Sequence, residues 1–225
     1  MKMIAGIMAL ALVTVVACAG APAAPKVETE EQKTLYALGL MMSNTLKRFN
    51  LTEQELEIVL SGARDSVLKR EEKVDINTYG PKVSDLAQAR TKAGAEAAKV
   101  AGVAFVEKAA AEKGAVKTPG GFVYQETQAG TGEMPKDSSK VKVHYRGTLT
   151  DGTEFDSSIK RNEPAVFPLN GIIPCWTQGL QMMKVGGKAK LVCPPEVAYG
   201  DQGRPPVIPP AATLVFEVEL ISIEQ

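Results

Sequence analysis

The chain has 225 residues, enough to bury one large hydrophobic core or two modest ones. Its 26 basic and 26 acidic residues cancel, so no overall positive field exists to attract a phosphate backbone, and nucleic-acid binding is disfavoured. The three cysteines do not have the spacing of metal ligands, so the sequence predicts no metal site.

The first 18 residues have the pattern of an export signal. Lys2 precedes a mostly apolar run, Met3 to Ala17, that is too short to span a bilayer comfortably. The run ends in Val15-Val16-Ala17-Cys18, which resembles a bacterial lipobox with Cys18 as the lipidated first residue. Ordinary cleavage near residues 21–24 is the alternative. Either reading predicts an exported protein, and the first attaches it to a membrane through the lipid alone.

The next 85 or so residues carry three helical patterns after a flexible Ala- and Pro-rich tether over residues 19–28. Capping-box signatures, Thr29 with Gln32 and Thr52 with Glu55, precede two short amphipathic helices. A third helix is predicted over about residues 77–113, with Gly114 as its C-cap. At about 1.5 Å per residue it would be roughly 50 Å long, which predicts a mostly solvated strut.

The two short helices cannot bury their apolar stripes without a partner surface. We therefore predict that residues 29–113 form a homodimerisation domain in which a second copy supplies that surface. Packing within one chain is the alternative for the neighbouring Met41 and Met42.

From Gly114 to the end of the chain, strand patterns replace the helical ones. Val141–Tyr145 and Leu214–Leu220 alternate as strands, and Thr150-Asp151-Gly152-Thr153 predicts a hairpin turn. Residues 176–183 have the length and spacing of one short helix. Residues 114–225 therefore predict an α+β domain in which an antiparallel β-sheet wraps on a short helix.

Two cysteines lie in this predicted domain. Export permits a disulfide between Cys175 and Cys193. However, Cys193 ends a strand-like run, where a lone cysteine usually acts as a small buried hydrophobe. Two free thiols are therefore the expectation, with the bridge as the alternative.

Several separate sequence blocks in this domain resemble the FKBP-type peptidyl-prolyl cis-trans isomerases, and they occur in that family's order. The preceding helices resemble the dimerising arm of the exported bacterial Mip/FkpA-like members. The blocks are Val143-His144-Tyr145-Arg146-Gly147, Asp151 to Ser158, Ile172-Ile173-Pro174-Cys175-Trp176, Ala198-Tyr199-Gly200, and Ile208-Pro209-Pro210 through Thr213 to Glu217.

The resemblance implies an apolar pocket that needs neither a nucleophile nor a cofactor. Trp176 would be the floor beneath a proline ring, and Asp156 at the rim would order Tyr145 and Arg161. The hydroxyl of Tyr199 and the backbone N–H of Ile173 would bind ligand carbonyls. The other residues predicted to bind substrate are Phe155, Phe167, Ile172, Ile208 and Phe216.

The implied function is isomerisation of prolyl bonds in unfolded or partly folded proteins of the bacterial cell envelope, by an outer-membrane lipoprotein. An envelope chaperone or scaffold with little isomerase activity is the alternative. The sole histidine, His144, suggests a hydrolase triad only superficially, because strand alternation directs it away from Tyr145.

Three residues depart from the family pattern. Ala165 replaces an aromatic wall, Arg204 a frequent histidine and Cys175 a common glycine, so macrolide inhibitors are expected to bind more weakly.

Overall fold

The computed structural model of the chain describes residues 26–224. The predicted lipidation site Cys18, the export signal and most of the tether lie outside these residues. Within them, no helix has the length and apolar character needed to cross a membrane. The elements, in chain order, are α1 (Glu30–Leu46), α2 (Glu53–Val67), α3 (Ile76–Ala110), β1 (Ala115–Lys117), β2 (Val123–Gln128), β3 (Lys140–Leu149), β4 (Glu154–Ser157), β5 (Ala165–Pro168), α4 (Pro174–Leu180), β6 (Lys188–Cys193) and β7 (Leu214–Glu224).

Both predicted capping boxes form. The backbone N–H of Gln32 donates to Thr29 Oγ1 at 3.2 Å, and the N–H of Thr29 donates to Gln32 Oε1 at 3.0 Å. The N–H of Glu55 donates to Thr52 Oγ1 at 3.3 Å, and the N–H of Thr52 donates to the Glu55 carboxylate at 2.9 Å. Each pair satisfies backbone donors that the first helical turn leaves free, which is why α1 and α2 begin where they do.

The long helix α3 starts one residue earlier than predicted and ends three residues earlier. Asp75 is its N-cap and accepts hydrogen bonds from the N–H groups of Asn77 and Thr78, at 3.1 and 3.2 Å. The prediction that Gly114 is the C-cap was wrong, because Ala111 ends the helix. Gly114 instead takes a φ of +79°, a conformation that glycine adopts readily, and leads the chain into β1.

The strands form one antiparallel sheet in the order β1-β2-β6-β7-β3-β4, and β5 pairs with the first half of β3. Its central pair, β3 and β7, runs from Lys140 opposite Glu224 to Leu149 opposite Leu214. One sheet face packs on α4 in the main core, which includes Val143, Trp176, Leu180 and Leu191. This confirms the predicted α+β fold, an antiparallel sheet wrapped on a short helix after a helical region with a long helix.

The last turns of α3 cover part of the opposite sheet face. Val123, Val192 and Val215 point away from the main core because strand side chains alternate, and they pack with Val106 and Ala109 of the helix. This second hydrophobic cluster attaches the end of α3 to β2, β6 and β7.

Gly102 lets α3 approach Thr213, the residue directly before β7, closely. A Cβ atom there would lie 2.3 Å from Thr213 Oγ1. Beyond this point, an ion pair of 2.9 Å joins Glu112, just after the helix, to Lys190 on β6. The end of α3 is therefore attached to the sheet by packing and by an ion pair.

Cys175 and Cys193 form a disulfide, so the expectation of two free thiols was wrong. Their Cα atoms lie 5.8 Å apart, the usual separation for a bridge. Close packing of α4 against β6 brings them together: a Cβ on Gly179 would lie 2.8 Å from Leu191 Cδ2. Both cysteines are fully buried, and the bridge fixes the first turn of α4 to the end of β6.

Candidate active site

An open cavity of about 490 Å³ lies between α4, the adjoining strands and the segment that precedes β7. This volume suits a short peptide segment or a small ligand. The residues that line it are Tyr145, Phe155, Asp156, Phe167, Gly171, Ile172, Ile173, Trp176, Tyr199, Arg204 and Phe216.

Trp176 is the centre of the cavity's aromatic lining. Its ring meets Tyr145 and Phe216 edge-on, with centroids 5.2 Å away in both cases, and Phe167 at 5.7 Å. Edge-to-face contacts of this kind fix ring orientations. The indole N–H is buried and makes no hydrogen bond to any residue between 26 and 224. The base of the cavity is therefore rigid and largely apolar.

A polar triad of Tyr145, Asp156 and Arg161 lies at the cavity rim. The Tyr145 hydroxyl donates to Asp156 Oδ2 at 2.5 Å, and Arg161 donates to Asp156 Oδ1 and, at 3.1 Å, to the Tyr145 oxygen. Burial tends to raise the pKa of the Asp156 carboxyl, but the hydrogen bonds from Tyr145 and Arg161 outweigh it and hold that pKa below its usual value. Asp156 therefore stays ionised at neutral pH, and its charge is paired.

Burial and the hydrogen bond to Asp156 both raise the pKa of the Tyr145 phenol above its usual value. The phenol accordingly stays protonated and continues to donate to the carboxylate at neutral pH. Neither group is poised to exchange a proton with a substrate, so the triad serves to hold Tyr145 in the cavity wall.

Both hydrogen-bond donors that were predicted to bind ligand carbonyls lack a partner within residues 26–224. They are the backbone N–H of Ile173, directly before α4, and the hydroxyl of Tyr199. Ile173 is the N-cap residue of α4, and its carbonyl already accepts from the N–H groups of Trp176 and Thr177. Its own N–H points outside the helix's hydrogen-bond pattern and is available to a ligand carbonyl.

Most of the predicted site residues line this one cavity, but two do not. Arg161 reaches it only through Tyr145 and Asp156. Ile208 is 3% exposed and belongs to the main core. Its neighbour in the loop hairpin, Arg204, lines the cavity in its place. Ala165 packs against the main core and is also absent from the lining.

No residue of the cavity lining is a serine, cysteine, lysine or histidine. His144 Nδ1 lies 3.1 Å from Ser158 Oγ, a pairing that resembles part of a hydrolase site. Ser158 is fully buried, however, and its hydroxyl accepts the N–H of Tyr145 at 2.7 Å. The pair is a structural contact, and neither residue lines the cavity.

Sequence reasoning missed Gly147, which lies behind the cavity wall. A Cβ at this position would lie 2.6 Å from Phe155 Cζ and 3.1 Å from Phe216 Cε1. The absence of a side chain on β3 thus lets two rings reach their places. A glycine inside an alternating strand is the signal that could have identified it.

Two known protein families match this chain, and together they cover its helical region and the domain that holds the cavity. The family described as FKBP-type peptidyl-prolyl cis-trans isomerase matches residues 131–221, which include α4, β3 to β6 and most of β7. The domain found amino-terminal to such isomerases matches residues 31–125. The chain belongs to the FKBP-type peptidyl-prolyl cis-trans isomerases. The predicted family and activity are confirmed.

Individual FKBP-type relatives match both parts of the chain together. The isomerase FkpA of Escherichia coli K12 is 40% identical over 209 residues, which cover 88% of this chain and 77% of the relative. FkpA of Aeromonas hydrophila is 41% identical over 220 residues, with 90% and 80% covered. The crystal structure of E. coli FkpA aligns with a TM-score of 0.66 at 39% identity, and covers 88% of this chain and 99% of that one. The fold and the helical region are shared with these FkpA proteins.

Proposed function

We propose that the cavity around Trp176 is where this isomerase rotates prolyl bonds. The proline ring sits on Trp176, while the Tyr199 hydroxyl and the Ile173 N–H donate to peptide carbonyls on either side. Asp156 and Arg161 act by holding Tyr145 in position. The observation that carries the proposal is the pairing of a rigid aromatic floor with two unpartnered donors in one cavity.

The chemistry needs no nucleophile. Amide resonance gives rotation about a peptide bond a barrier of roughly 18–20 kcal/mol. As the bond twists, resonance is lost and the carbonyl becomes less polarised, so an apolar cavity disfavours the planar amide more than the twisted one. Each factor of ten in rate needs about 1.4 kcal/mol, so a thousandfold acceleration needs about 4 kcal/mol of such differential binding.

A prolyl-peptide assay on single variants tests this assignment. Tyr199→Phe removes one neutral hydrogen bond, about 0.5–1.5 kcal/mol, so kcat/KM should fall about two- to tenfold. Trp176→Leu removes the floor and should cost more. Tyr79→Phe is the matched control, because Tyr79 lies on α3 and is half-exposed. Undiminished rates in both site variants, with folding intact by circular dichroism, would contradict the assignment.

The helical region supports a second part of the proposal, that the enzyme is a homodimer through residues 29–113. None of the residues of α1 is buried, although Leu35, Leu38 and Met41 are apolar. In α2 the only buried residue is Asp65, while Ile58 is 72% exposed. Burying a leucine or methionine side chain contributes about 1.5–3 kcal/mol, so a second copy that covers these stripes would be stabilised strongly.

Light scattering on residues 19–225 tests the dimer and should give twice the chain mass. Met41→Asp should shift the mass towards one chain, because it places a charge in the proposed interface. Met134→Asp is the control, since Met134 is also exposed but lies in the loop before β3. A single-chain mass for the unaltered protein would exclude the proposed dimer.

The third part of the proposal concerns location. The export signal and the lipobox support a periplasmic enzyme held at the outer membrane through lipid on Cys18, where it would act on unfolded or partly folded envelope proteins. Macrolide inhibitors would enter the same cavity. Intact mass measurement of the protein from its native membrane should show acyl groups at Cys18, and Cys18→Ala should release the protein into the soluble periplasmic fraction. An unmodified amino terminus beyond residue 20 would exclude the anchor.

A further inference from the structure

Two of the side chains that line the cavity are charged, Asp156 and Arg204. The Asp156 carboxylate is paired with Arg161. The Arg204 guanidinium makes no ion pair or hydrogen bond with any residue in the range 26–224. The uncompensated charge at this cavity is therefore positive.

The acidic residue nearest to Arg204 along its loop is already engaged. Asp201, three residues earlier, accepts a 2.9 Å ion pair from Lys99 on α3. The pKa of Lys99 is raised above its usual value by this hydrogen bond and by the charge of Asp201. Asp156 in the cavity and Asp201 in the loop thus have other partners, and the charge of Arg204 remains available to a ligand.

The loop holds the backbone of Arg204 in a defined place. Its backbone N–H donates to the Ile208 carbonyl at 2.8 Å, and the N–H of Ile208 donates back at 3.0 Å. Ile208 is buried in the main core and anchors this hairpin. Gly203 has a φ of +62°, and a Cβ there would lie 2.4 Å from the Pro209 carbonyl oxygen, so only glycine closes the loop in this form.

We propose that Arg204 makes this isomerase favour an acidic residue over its uncharged amide directly before proline. The inference rests on the cavity being the isomerase site. With the proline ring on Trp176, the residue before proline carries the carbonyl of the rotating bond and lies in the same cavity, whose lining includes Arg204. A glutamate or aspartate there meets an unpaired guanidinium, whereas a lysine or arginine meets repulsion.

Isosteric peptides isolate the charge from the shape of the side chain. Two peptides that differ only by glutamate or glutamine before proline are compared by their kcat/KM ratio, after subtraction of the uncatalysed rates. Because exposed ion pairs contribute little, the wild-type ratio in favour of glutamate should be about two- to fivefold at low salt. The ratio should shrink towards one as salt rises from 0.1 to 1 M, since the screening length falls from about 10 Å to about 3 Å.

Variants assign the preference to one residue. Arg204→Gln should bring the glutamate-to-glutamine ratio to about one, whatever its effect on the rate that both peptides share. Arg204→Lys should keep most of the preference. Lys136→Gln is the matched control, because it removes one positive charge from an exposed loop residue that does not line the cavity.

A wild-type ratio of one or less, or a ratio unchanged in Arg204→Gln, would overturn the inference. This failure differs from failure of the proposed site. If only the inference about Arg204 fails, the wild-type enzyme and Trp176→Leu still differ in rate on the glutamine peptide. If the assignment of the site fails, these two rates are the same.

Discussion

Replacement of Gly147 by alanine should reduce isomerase activity although no functional group is removed. The new Cβ would lie 2.6 and 2.7 Å from two atoms of the Phe155 ring, about 0.8 Å inside the 3.4 Å at which ordinary contact begins. Phe216, at 3.1 Å, blocks part of the space into which the ring could retreat. Phe155 is only partly buried, so it should move towards the cavity.

The size of the effect follows from this displacement. Overpacking of a well-packed site costs about 1–3 kcal/mol, which should lower the free energy of unfolding by that amount. A catalytic wall displaced by nearly 1 Å can cost up to about a hundredfold in rate, and we expect about tenfold in kcat/KM here because one wall of several moves. The prolyl-peptide assay measures the rate, and thermal unfolding measures the stability.

Two control variants test whether Gly147→Ala displaces the Phe155 ring. Gly94→Ala, on α3 with nothing within 4 Å, should keep full activity and gain up to about 1 kcal/mol from helix propensity. The double variant Gly147→Ala with Phe155→Leu should be no slower than Phe155→Leu alone, because the smaller side chain relieves the clash. Full activity in Gly147→Ala, or additive losses in the double variant, would show that the ring is not displaced as proposed.

Three further changes test other contacts. Reduction of the Cys175–Cys193 bridge, or replacement of both cysteines by alanine, should lower stability by about 3 kcal/mol, because the bridge closes a loop with a sequence separation of 18 residues; an unchanged melting temperature would contradict this. The hydrogen bonds from Arg90 and Thr52 lower the pKa of Glu55 to about 2, so the stability advantage of the wild type over Arg90→Gln should be full above pH 4.5 and vanish as the pH falls towards 2; an advantage independent of pH would exclude the ion pair. Val106→Ala removes two buried methyl groups between α3 and the sheet, so it should lower the free energy of unfolding by about 1.5–3 kcal/mol, measured by thermal unfolding. Catalysis should not slow. A loss of activity in a fully folded variant would implicate α3 in the site.

The helices and most strands were predictable because their signals are local. Thr52 and Glu55 form the capping box that their spacing indicates, and Val141 to Tyr145 alternate as a half-buried strand should. Two short strands, β1 and β5, escaped prediction. At three and four residues they carry too little periodicity, and Pro168 ends β5 with a residue that argues against a strand.

The parts of the site that sequence reasoning misplaced depend on tertiary contacts. Whether Cys175 meets Cys193 depends on how closely α4 approaches β6, which Gly179 permits and no local pattern reveals. Ile208 does not line the cavity as expected, because its hairpin turns this apolar side chain into the core and leaves Arg204 at the cavity. Family motifs locate such a loop, but they do not say which of its side chains faces a ligand.

Because the end of α3 is attached to the sheet, the length of this helix determines how the isomerase domain is rotated relative to the start of the helix. Gly102, Val106 and Ala109 fix its last turns to the isomerase domain. Each residue between the start of the helix and those turns therefore changes the angle of the domain about the helix axis. One residue inserted near Gly94 would advance the cavity by about 1.5 Å and turn it by about 100° around the helix axis, whereas seven residues would extend it by about 10 Å and nearly restore its direction. The number of residues in α3 therefore sets the direction in which the cavity faces, independently of how well the cavity itself is built.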